Sequence, residues 1–81
     1  MLSSGQLRAA RALIRWTAED LARKSGIGVA TIRRLELQAG VPASNVKTLE
    51  ALQSALEQGG VEFIGSPTDR PGVRLKAKGA A

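Results

Sequence analysis

Apolar residues recur through residues 1–60 with the three- and four-residue spacing of helices. Leu7, Ala10, Leu13 and Ile14 share one face of a first predicted helix, with Arg8, Arg11 and Arg15 interleaved. Ser3 or Ser4 suits its N-cap, since a side-chain oxygen there accepts from the unpaired N–H groups of the first turn. Trp16 ends the segment as a core anchor. Thr17-Ala18-Glu19-Asp20 opens a second helix as a variant capping box, with Asp20 where Glu is usual. Glu19 and Asp20 in its first turn and Arg23 and Lys24 in its last both suit the helix dipole, and Leu21 and Ala22 face inward. Gly26 stops it, and Gly28 stands before a third helix running from Val29 to about Gln38, with Ile32 and Leu35 as its buried stripe. Two short helices joined by a tight turn containing Gly form a helix-turn-helix.

After a loop marked by Gly40 and Pro42, Ser44 or Asn45 caps a fourth helix whose apolar face is Val46, Leu49, Leu52 and Leu56. Gly59-Gly60 ends it. The pattern then changes period. Val61 to Ile64 and Gly72 to Lys76 alternate, each as a plausible strand, across a turn-rich connection longer than a tight hairpin loop. They suit either a loose hairpin or pairing across a dimer axis. Val61, Phe63, Ile64, Val73 and Leu75 exceed the apparent need of so small a core, which makes these strands a candidate dimerisation element. The organisation expected is therefore a helical domain over 1–60, a β tail over 61–76, and disorder over 77–81.

Composition narrows the chemistry. An 81-residue chain has room for one domain with a modest core, and association is a common route to its stability. Without Cys or His, thiol nucleophiles, the usual zinc sites and histidine acid–base chemistry are excluded. No nucleophile-elbow, phosphate-loop or acidic metal-loop spacing occurs, so neither an enzyme nor a cofactor or metal is expected. No apolar run is long enough to span a bilayer and none resembles a signal peptide, so a soluble cytoplasmic protein without a membrane partner is expected. The net charge of +5 favours a polyanionic partner.

The run from Leu7 to Glu36 resembles the DNA-binding core of the Cro/C1-type (XRE-family) helix-turn-helix proteins. The resemblance rests on Arg11, Trp16, Thr17, Leu21, Ala22, Gly26, Ile27, Thr31, Ile32 and Glu36, and extends with the following helix to about Leu56. It implies a mainly α, four-helix lambda-repressor-like domain, here with a short C-terminal β-ribbon. It also implies an ion pair between Arg11 and Glu36, so that Arg11 serves structure and not DNA. Val29, Ala30, Arg33 and Arg34 match the recognition-helix positions that approach bases and phosphates, Thr31 suits either a phosphate contact or packing against the second helix, and Thr17 and Lys47 are further candidate phosphate contacts. Arg33 and Arg34 also fit a plainer role as solvated charges beside Glu19 or Glu36.

Three departures weaken the phosphate contacts. Ala18 replaces the family's Gln, Gly28 replaces a Ser or Thr cap, and the loop after the third helix is uncharged. Phosphate contacts dominate affinity, so a monomer should bind weakly and a dimer becomes the more necessary. The expected function is a sequence-specific transcriptional regulator of the repressor kind, a homodimer joined through the C-terminal strands on double-stranded DNA. Removing everything after Gly60 should then abolish dimerisation. The alternative is an antitoxin or antiactivator-type module that keeps the fold and docks a protein partner such as a toxin.

Overall fold

The computed structural model describes residues 2–76, which form four helices and a two-stranded antiparallel sheet. The tail expected to be disordered, 77–81, lies outside the described residues. Helix α1 (Ser4–Leu13) begins with a full capping box: Ser3 Oγ accepts from the Gln6 N–H at 3.0 Å, and Gln6 Oε1 accepts from the Ser3 N–H at 2.8 Å. Ser3 is therefore the cap, and Ser4 turns inward to donate its hydroxyl to the Leu35 carbonyl at 2.8 Å. The helix stops short of Trp16 because Arg15 takes a left-handed conformation, φ 58, that redirects the chain. Leu13, expected on the buried face, is among the exposed apolar residues, while Trp16 packs half-buried against the core.

Helix α2 (Ala18–Ser25) is capped reciprocally by Thr17 and Asp20 and closed by Gly26 in the left-handed region, φ 78. Helix α3 (Val29–Glu36) starts at Gly28 without a side-chain cap. It ends earlier than its pattern suggests, because Leu37 and Gln38 bond to the carbonyls three residues back and tighten the last turn. Helix α4 (Val46–Gln58) is capped by Asn45, whose Oδ1 accepts from the Thr48 N–H at 2.8 Å. Leu49, Leu52 and Leu56 are buried as expected, but Val46 is 54% exposed. It lies in the first turn, in line with Glu50, Gln53 and Glu57 at the edge of the apolar stripe.

Strands β1 (Val61–Ser66) and β2 (Asp69–Leu75) pair with each other, from Val61 opposite Leu75 to Ser66 opposite Asp69. The connection is thus the tight Pro67-Thr68 turn, shorter than the sequence suggests. The register shift beyond Ile64–Gly72 places Arg70 and Pro71 against Gly65 alone, a bulge that accommodates a proline with no N–H to give. Gly65 has φ 73, and a Cβ there would collide with the Arg70 carbonyl oxygen.

The hairpin belongs to the core. Val61 is fully buried, and Phe63 and Val73 pack against the cluster formed by Leu2, Leu7, Leu21, Ile32, Leu35, Leu52 and Leu56. The expectation of surplus apolar strand residues is corrected here: of the five, only Ile64 and Leu75 are exposed, at 38% and 56%. Gln6 fastens the hairpin to α1, donating Nε2 to the Ile64 and Gly72 carbonyls at 3.0 and 3.1 Å. Among the described residues no buried side-chain polar atom lacks a partner.

Candidate nucleic-acid interface

The short Gly26-Ile27-Gly28 link sets α2 against α3, with Ile27 packed against the core between two glycines. Ile32 and Leu35, both fully buried, fix which side of α3 looks inward. Three groups from α1 then hold the C-terminal end of α3. Ser4 binds the Leu35 carbonyl, Arg8 donates to the Glu36 carbonyl, and Arg11 grips the Glu36 carboxylate. Arg11 also donates Nη1 to the Trp16 carbonyl at 3.0 Å, so one guanidinium joins α1, α3 and the turn into α2. Hydrogen bonding to Glu36 raises the Arg11 pKa, chiefly, and burial opposes it less. Basic groups at this end also complement the negative pole of α3.

The pair implied by the resemblance, Arg11 with Glu36, is therefore present. A family model described as helix-turn-helix matches the chain over residues 7–62. The chain belongs to the Cro/C1-type (XRE) helix-turn-helix family. A comparison with curated proteins gives no match. Within this XRE-family domain, the face of α3 away from Ile32 and Leu35 carries the exposed residues Ala30, Arg33 and Arg34. Val29 and Thr31 are half-buried, and Val29 packs against the core. Thr17 is exposed, with its hydroxyl accepting from the Asp20 N–H. Lys47 is exposed in the first turn of α4.

Each arginine of α3 has an intramolecular partner. Arg33 donates Nη2 to Glu19 Oε2 on α2, and Arg34 reaches the Ala43 carbonyl at a long 3.5 Å. Of the plainer partners considered for these arginines, Glu19 is realised for Arg33, while Glu36 is taken by Arg11. Asp20 is held by Thr17 and by Arg23 at 2.8 Å, and these contacts, the Thr17 N–H foremost, lower its pKa. The Gln-to-Ala departure has a structural meaning: Ala18 is buried and contributes to the core. The residues that sequence reasoning missed are Leu2, Arg8 and Gln6. Leu2 precedes any periodic pattern; Gln6 could have been found from the Ser-x-x-Gln capping-box spacing, but the bonds of Gln6 and Arg8 to carbonyls distant in sequence have no local signal.

A groove of about 340 Å³ along α4 is lined by Val46, Leu49, Glu50, Gln53, Ser54 and Glu57. Its two carboxylates make it a poor seat for a polyanion. Among the described residues no cluster of acidic side chains has metal-binding arrangement, and no helix is long and apolar enough to cross a membrane.

Proposed function

We propose that this protein is a sequence-specific transcriptional regulator that binds double-stranded DNA as a homodimer, with α3 in the major groove. The observation that carries the reading is the outward face of α3. Ala30 permits close approach and Arg33 and Arg34 project from the same helix, whose opposite side is locked into the core. An arginine can bridge O6 and N7 of guanine, while Val29 offers at most apolar contact to a thymine methyl. Thr17 and Lys47, both exposed, are the further candidates for phosphate contact, and half-buried Thr31 is a third. Action in the cytoplasm is part of the same proposal.

Dimerisation follows from reach. A helix of eight residues spans about 12 Å and reads one half-site, so specific affinity needs two copies about 34 Å apart. The hairpin is the favoured contact: each strand pairs on one side only among the described residues, and Ile64 and Leu75 remain exposed on it.

The test is selection of bound sequences from random DNA by the whole chain and by Arg33→Ala. An inverted repeat whose preference changes in the variant is expected. Folded protein that enriches no sequence would reject the reading, and a module docking a protein partner would take its place.

A further inference from the structure

We propose that Glu19 is a specificity-determining residue: it holds Arg33 in the pose that reads one base, although it need not touch DNA itself. The inference rests on the DNA-reading function proposed above. Its starting point is the hydrogen bond that the Arg33 side chain donates from Nη2 to Glu19 Oε2. That contact joins the first turn of α2 to the outward face of α3.

Both side chains are well exposed, 59% for Arg33 and 58% for Glu19, so the pair adds little to folding. Its value lies in orientation. An exposed arginine has many rotamers, and fixing it before binding lowers the ordering cost of a base contact. The guanidinium presents five N–H donors in a planar fork, and Glu19 engages Nη2 alone. Both donors of Nη1 and the second of Nη2 stay available for the O6 and N7 of guanine.

Charge argues in the same direction. Glu19 and Arg33 cancel on the surface proposed to meet phosphates, so the pair weakens sequence-independent attraction. A carboxylate there lowers affinity for all DNA while raising the contrast between the right base and the wrong ones. Asp20, the neighbouring carboxylate, is committed to Thr17 and Arg23 and does not compete for Arg33. Arg23 is taken by Asp20, Lys24 lies more than a helical turn beyond Glu19, and Arg34 turns to the Ala43 carbonyl.

The experiment measures equilibrium binding of the whole chain to the site recovered by selection and to every single-base variant of that site. Wild type, Glu19→Ala, Glu19→Gln, Arg33→Ala and the Glu19→Ala/Arg33→Ala double variant are compared. Circular dichroism confirms that each is folded. Glu19→Ala is expected to reduce discrimination at one position per half-site about tenfold, while affinity for unrelated DNA rises. Glu19→Gln, which keeps a carbonyl acceptor, is expected to restore most of the discrimination. In the Arg33→Ala background, Glu19→Ala should change nothing at that position, the signature of action through Arg33. The proposal is overturned if Glu19→Ala and Glu19→Gln raise affinity by one common factor for every sequence, which is charge alone. It also fails, with the DNA-reading function left standing, if Arg33→Ala alters the preference and Glu19→Ala does not. A wild-type chain that selects no sequence rejects both together.

Discussion

Arg11 on α1 and Glu36 at the end of α3 meet through two parallel hydrogen bonds, Nε to Oε2 and Nη2 to Oε1, each 2.8 Å long. Glu36 is buried and Arg11 half-buried, so neither charge can be left alone without a desolvation penalty. Glu36→Ala should lower unfolding free energy by about 3 kcal/mol, read from urea titration at fixed protein concentration. Replacing both partners with Met should cost less than the single change, because no orphan charge remains. An unchanged urea midpoint for Glu36→Ala would remove the pair from the account of how α3 is held.

Acid should weaken the fold through two paired carboxylates at the surface, Asp20 and Glu62. Asp20 is held below its ordinary pKa of 3.8 by the Thr17 N–H and by Arg23, and Glu62 below 4.5 by Arg74, its cross-strand partner. A carboxylate whose pKa is lower in the folded state contributes fully above its unfolded pKa, and that contribution is lost as pH falls through the folded value. Melting temperature should therefore be level with respect to these groups above about pH 5 and decline below about pH 4. Asp20→Asn combined with Glu62→Gln should flatten the decline. A decline of unchanged steepness in that double variant would assign the acid sensitivity elsewhere.

The helices were legible in sequence because each has a local cause. Thr17 with Asp20 announces α2, Gly26 ends it, and Asn45 opens α4, all through bonds spanning three or four residues. The family's own pair, Arg11–Glu36, was legible only through resemblance, since nothing local joins positions 25 residues apart. The hairpin was half legible. Its alternation gave the strands, but the bulge that draws Ser66 to Asp69 depends on Gly65 and the strained Arg70, and neither has a periodic signature. The role of Phe63 and Val73 was misjudged because burial depends on what α1 and α4 leave uncovered. At the interface, α3's two faces followed from Ile32 and Leu35, whereas the choice of Glu19 as partner for Arg33 is a matter of three-dimensional approach.

The hairpin's place in the core changes how dimerisation must be tested. Truncation after Gly60 removes Val61, Phe63 and Val73 together with both carbonyls that bind Gln6, so it should unfold the chain and not merely separate two copies. Gly65→Ala should do the same in part, by about 2 kcal/mol or more, because its Cβ would clash with the Arg70 backbone. Ile64→Thr with Leu75→Thr is the informative change: both sites are exposed and Thr suits strands. Sedimentation should show monomers that still melt in one cooperative transition. Dimers that persist in this variant would move the contact away from the exposed hairpin residues.

The salt dependence of binding separates phosphate contacts from base contacts. Each cation that neutralises a phosphate adds about 0.9 to the slope of log affinity against log salt, whatever the sequence. Arg34→Ala and Lys47→Ala should therefore each lower the slope by about 1 per protomer and leave the ranking of DNA sequences intact. Arg33→Ala should change the ranking first, because its work is with bases. Arg74 gives the control: it carries the same charge as Arg34 but is engaged by both oxygens of Glu62, at 2.9 and 3.1 Å. Arg74→Ala should leave slope and ranking alike unaltered. If all three arginine variants lower the slope equally and none alters ranking, binding is general polyanion attraction, and α3 is not reading sequence.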